Sequence, residues 1–282
     1  MKALRRTVRW GFAVLVPCEL GLLAGALAGL RMPSAAWPAV ELALCALMTG
    51  ATALLLCDYR RHRRDGLHPR SALQAAITDS VPALVRRLTA HEIALATSFL
   101  RWVFRRGPHG VRRADHPIPY ASGQSATLYG LLFVCAVETV ALACLIPWPV
   151  VHAATLVLDV WGCYFLLALH ASCVVRPHVI GADGSLRLRY GALLDVRIPA
   201  GRIASVHLDR RCPTGGPAAV DESGATVLSV AGLTTVTVEL TEPVRYVRVL
   251  GKPAEARAFR FYADDPASAV AALRTCGSRG SS

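Results

Sequence analysis

The sequence predicts an α-helical membrane domain of four transmembrane helices with amphipathic inner-surface helices. A small antiparallel β domain with a C-terminal helix follows it. Three observations predict this. Four apolar runs contain no Lys or Arg. Basic residues fall on one side of those runs. After Val175 the hydrophobic period changes from helical to alternating. The composition agrees, since 54% hydrophobic residues and a mean hydropathy of +0.41 exceed those of an ordinary soluble domain.

The runs are Trp10–Leu30, Trp37–Cys57, Ser125–Pro147 and Val150–Val175. Each reaches the ~20 residues that cross a bilayer core. Trp10, Trp37 and Trp148 lie at their ends, as interfacial aromatics do. The first run follows Lys2, Arg5, Arg6 and Arg9, but it is too long for a signal-peptide core and carries Glu19. Its Gly21, Gly25 and Gly29 form a small-residue series suited to close helix approach. Residues 58–124 carry twelve Arg against five acids. By the positive-inside rule both termini and this loop are cytoplasmic, and the protein is a multi-pass protein of the cell membrane.

The net charge of +12 therefore reads as membrane topology. No nucleic-acid partner is expected, because no helix-turn-helix spacing, zinc knuckle or aromatic-interleaved basic patch is present. Membrane lipids are expected partners, with anionic headgroups at the Arg-rich loop. Most of the nine cysteines lie in or beside the apolar runs, where they act as small packing residues. Lysine is nearly absent, with only Lys2 and Lys252, which points to a GC-rich genome.

The inner loop 58–124 has structure of its own. Leu73, Ile77, Val81, Leu84, Val85 and Leu88 recur at helical spacing. Ser80 followed by Pro82 marks a fresh helix start. His91–Phe104 continues the pattern, flanked by Arg86, Arg87, Arg101, Arg105 and Arg106. This pair of helices either lies on the inner membrane surface or packs on the β domain. Residues 107–124 are rich in turn formers and read as a loop.

Residues 176–282 form the second domain. Leu186, Leu188 and Tyr190 alternate with Arg187 and Arg189, and Val236, Val238 and Leu240 with Thr235, Thr237 and Glu239. Phe259-Arg260-Phe261 alternates again. Such patterning, broken by turns such as Asp183-Gly184, means an antiparallel sheet with one buried face. At the end, Asp265 caps a helix, Pro266 opens it, and Ala269, Val270 and Leu273 form its apolar face. Short segments at Leu186–Gly191, Ile198-Pro199, Arg202-Ile203 and Val206, followed by strands and a closing helix, resemble bacterial pleckstrin-homology-like domains. That resemblance covers roughly 176–275. It implies a docking scaffold with a protein partner and transfers no catalytic residue. The whole chain is similar to integral membrane proteins of high-GC Gram-positive bacteria.

Each run holds one acid: Glu19, Glu41, Glu138 and Asp159. Acids at that depth cost on the order of 2.5–3.5 kcal/mol on insertion scales, so they are expected to face the bundle interior. In the fourth run His152, Asp159 and His170 return to within about 20° of one direction, with Cys163 close to the same stripe. The candidate constellation is Glu138, Asp159, Glu19 and His170, with Glu41, His152, His91 and Glu92 as secondary candidates. Three functions fit. The first is a non-catalytic scaffold or accessory protein, with the acids tying helices together. The second is a membrane-embedded enzyme acting on a lipid or isoprenoid-like substrate, its carboxylates serving as general acid/base or as ligands of a divalent cation. The third is a proton or cation pathway, for which a homo-oligomer would be needed. No HExxH, DDxxD-type run or zinc spacing supports a particular metal. Asp58 and His62 share a helical face after the second run and read as a charged helix end.

Overall fold

The computed structural model describes Gly11, Val14, Cys18 and residues 36–213, 219–221, 224–248 and 252–279. The chain divides into two compact units, Met1–Arg86 with Trp148–Val151, and Arg87–Pro147 with His152–Ser282. Glu19, the Gly21–Gly25–Gly29 series and nearly all of the first apolar run lie outside the described residues.

In the first unit, helix α1 spans Ala36–Arg64 and α2 spans Pro69–Ser80. The last turn of α1 carries Arg61, Arg63 and Arg64, cations at the negative end of the helix dipole. Helix α2 packs on α1, burying Ala72 and Ala76 completely. Small residues permit this close approach, so the Leu73 side of the helix stays exposed. Helix α2 stops at Val81, which is extended, with φ −102° and ψ 129°. Pro82 forces that conformation on the residue before it. Helix α3 then runs Ala83–Val103. The restart at Ser80–Pro82 is therefore as the sequence predicts.

In the second unit, β1 (His116–Ile118) and a short 3-10 turn (Ser122–Gln124) lead into α4 (Ser125–Leu145). Helix α5 (Pro149–Val175) runs almost directly into β2 (His178–Ile180). Among the described residues, three helices are long and apolar enough to cross a membrane: Pro38–Arg64, Ser122–Leu145 and Val151–Val175. By composition this is a multi-pass membrane protein.

The β domain continues with β3 (Leu186–Tyr190), β4 (Leu194–Ile198), β5 (Ile203–Arg211), β6 (Ala219–Val220), β7 (Ala225–Leu228), β8 (Thr234–Val247) and β9 (Pro253–Phe261). Helix α6 (Pro266–Arg279) closes it. One sheet has the order β1-β2-β3-β4 and the other β5-β8-β9-β7-β6. Their shared core includes Leu186, Leu188, Ile198, Val236, Val238, Phe259 and Phe261, all fully buried. Ala269, Val270 and Leu273 of α6 join that core. Asp265 caps α6, accepting from Ser268 N–H at 3.1 Å. Arg274 of α6 donates to the Val206 carbonyl on the outer edge of β5, which blunts an otherwise open strand.

Two expectations need correction. Residues 107–124 are not all loop, because His116–Ile118 pairs with β2 as the edge strand of the first sheet. The β domain therefore begins before the third apolar run, not at residue 176. The sheets are also not wholly antiparallel, since β7 runs parallel to β9. After β7 the chain crosses the end of β9 and returns as β8 on its far side, so β7 and β9 point the same way.

Candidate functional site

The stripe predicted on the fourth run becomes one side of a polar seam between α4 and α5. Thr139 donates to Asp159 Oδ2 at 2.9 Å. The Cys135 thiol lies within hydrogen-bonding reach of Cys163. Gln124 Nε2 lies 3.4 Å from His170 Nδ1. From the first pair to the second, four residues toward the start of α4 match four toward the end of α5, as antiparallel helices require. Leu128 of α4, on the same face, is buried.

Thr139 has one hydroxyl proton and two acceptors in reach, Asp159 Oδ2 and the Cys135 carbonyl at 2.9 Å.

The other candidates are more scattered. Glu138 sits beside the seam and is exposed, as is Glu41 on α1. Neither is enclosed by the described residues. His152 is half-buried and its backbone carbonyl accepts from Thr155. His91 Nδ1 donates to the Ala192 carbonyl at 3.2 Å, which ties α3 to the β3–β4 turn. Glu92 is exposed. Asp58 is buried and accepts from Ser80 Oγ at 2.7 Å, while His62 meets Asp79 at 3.0 Å. That charged helix end thus fastens α1 to α2. Among the described residues, no group of three or more His, Cys, Asp and Glu could hold a metal ion.

The most enclosed polar cluster was not singled out by sequence reasoning. It sits where α5 meets the first sheet. His178 is fully buried, with its ring stacked on Tyr120 at 4.3 Å and edge-on to Phe261 at 5.1 Å. Its Nδ1 accepts the Arg189 N–H at 3.0 Å, so Nε2 carries the proton and faces the Tyr262 carbonyl at 3.3 Å. Burial, opposed in part by that carbonyl, pushes its pKa down to about 3.

Arg189 donates to the His109 carbonyl at 2.8 Å and to the Pro177 carbonyl at 3.4 Å, with Asp195 at 3.9 Å. The Tyr120 hydroxyl accepts from the Gly191 N–H at 2.7 Å. Gly191 has φ 51°, and a Cβ there would collide with Ser172 of α5, so only glycine fits. Every polar group in this cluster is consumed in joining segments. The chemistry it offers is mechanical, a fixed joint between helix and sheet.

No family model matches the chain, and no curated protein or solved structure matches it.

Proposed function

We propose that the protein is an integral membrane scaffold or accessory protein that docks partners through a cytosolic β domain of pleckstrin-homology-like kind. The observation that carries this reading is the direct mounting of the β domain on membrane-length helices. Strand β1 precedes α4, α5 leads into β2, and Asp264 after β9 accepts from Ser122 in the turn before α4. Such a mount holds a protein surface at fixed height above a bilayer. The core between the sheets is filled by side chains, so recognition falls to the outer surface.

A second reading, a membrane-embedded enzyme acting on a lipid or isoprenoid-like substrate, draws on the seam between α4 and α5, where Thr139 donates to Asp159. Complementation of a deletion strain separates the two. Removing residues 176–282 would also orphan β1, so surface substitutions are the cleaner tool. The scaffold reading expects loss of function from Arg197→Glu with Arg210→Glu and Arg245→Glu, all exposed, at unchanged protein level. It expects function to survive Glu138→Gln with Asp159→Asn. The reverse pattern sinks the scaffold and favours the enzyme.

A further inference from the structure

At the end of α3, beside the last turn of α5, lies an open notch of about 610 Å³. Trp102, Val103 and Val174 form its apolar walls, and Arg105 and Arg106 its polar rim. The walls are held from both sides. Arg105 N–H donates to the Trp102 carbonyl at 3.0 Å and Arg106 N–H to the Arg101 carbonyl at 2.8 Å, which ends α3 in a tight turn. Arg105 takes a left-handed φ of 48°, uncommon for a side chain of its size. Arg101 Nη2 donates to the Gly107 carbonyl at 2.7 Å, and His109 N–H to the Val175 carbonyl at 2.8 Å. The last of these ties the turn to α5.

The depth of the notch in a bilayer follows from α5. Val174 and Val175 end a membrane-length apolar helix, and Arg176 follows at once. That is where hydrocarbon gives way to headgroups, and where Trp and Arg concentrate. Helix α3 turns Leu95 and Ser98 inward, with Ser98 Oγ accepting from Arg176 Nε at 3.1 Å. Its opposite face leaves Ile93, Leu100 and Val103 exposed, and Phe104, just past its end, is 68% exposed. An amphipathic helix so oriented immerses that face in a bilayer and keeps its basic end at the phosphate level. The site is also strongly electropositive. His109 is held below its usual pKa by partial burial and then by Arg176, Arg101, Arg189 and Arg187.

We propose that this notch binds the phosphate headgroup of an anionic membrane phospholipid. Arg105 and Arg106 hold the phosphate, Trp102 lies at glycerol depth, and Val103 and Val174 meet the first methylenes of an acyl chain. The exposed apolar walls favour a lipid over free phosphate, because only a lipid covers them. The site is independent of the docking function proposed above.

The test uses the full-length protein in detergent, titrated with phosphatidylglycerol or phosphatidylcholine brominated near the top of the acyl chain, and read by Trp fluorescence. The wild type should be quenched further by brominated phosphatidylglycerol than by brominated phosphatidylcholine. That excess should vanish in Trp102→Phe and in Arg105→Asn with Arg106→Gln, Asn being tolerant of a left-handed φ. It should persist in Arg105→Lys with Arg106→Lys, which keeps the charge. Equal quenching by both lipids in the wild type overturns the proposal. So does an excess that survives the neutral double variant, or one lost equally in the lysine variant, which would mark a structural role for the turn. Displacement of the lipid by glycerol phosphate as effectively as by unbrominated phosphatidylglycerol also overturns it, since the site would then read phosphate alone.

Discussion

Protonating His178 would add a charge to a fully buried ring whose Nδ1 must accept the Arg189 N–H. Its folded pKa, about 3, lies below the ordinary 6.5. Between those values the unfolded chain binds the extra proton and the folded chain does not. Stability therefore falls as pH drops through this window and is fully present above pH 6.5. The buried ring needs no discount for screening, so the loss is on the order of 3–5 kcal/mol. Thermal unfolding of the wild type in detergent should show this acid sensitivity. His178→Gln should be less stable at neutral pH, yet lose less on acidification than the wild type. Tyr120→Phe should cost about 1–3 kcal/mol, because the buried Gly191 N–H loses its acceptor. Denaturant unfolding would measure it, and an unchanged midpoint would contradict the role given to the hydroxyl. Little of this joint was legible in the sequence. Alternation in β3 assigned Arg189 to the solvent face of the sheet, but it is buried because residues 109–110, distant in sequence, fold over it. Local periodicity reports which face a residue takes, not what later covers that face.

At the scale of elements, the stripe on the fourth run was legible because period 3.6 alone sets it. Its partners, Thr139 on α4 and Gln124 in the turn before it, were not singled out, since a lone Thr or Gln is unremarkable by position. Thr139→Val should weaken the α4–α5 pair by about 0.6 kcal/mol and at most about 1.7, the range for interhelical hydrogen bonds in membranes. Unfolding of the full chain in mixed detergent micelles would show the shift. Thr139→Ser should restore the wild-type value. Strand β1 was hidden by Pro117 and by its length, three residues between turn formers. Yet Ile118 is 3% exposed and part of the main core. Ile118→Ala should destabilise the β domain by about 2–5 kcal/mol, far more than a substitution in a loop. Protection of the β2 and β3 amides from hydrogen exchange should fall with it. Equal protection in the variant would mean that β1 is dispensable.

For the molecule as a whole, composition and charge distribution carried most of the reading. Three of the four apolar runs are membrane-length helices, and nearly all of the first lies outside the described residues. The charge asymmetry predicts that the Arg-rich connection and the β domain share the cytoplasmic side. Cys212 is exposed in the β domain and can report on this once the other cysteines are replaced. A membrane-impermeant maleimide should label it in inverted vesicles and leave it unlabelled in right-side-out ones. Labelling in right-side-out vesicles would reverse the topology.

Strand β1 has a further consequence, for biosynthesis. It leaves the ribosome before α4 and α5, while its partner β2 leaves after both. The first sheet can close only when the intervening helical hairpin has entered the membrane and returned the chain to the side it started from. A hairpin that loses one crossing leaves β1 and β2 on opposite sides of the bilayer, and the edge strand stays unpaired. Completion of the sheet therefore depends on the hairpin: a chain that loses one crossing leaves exposed the apolar residues that Ile118 would cover.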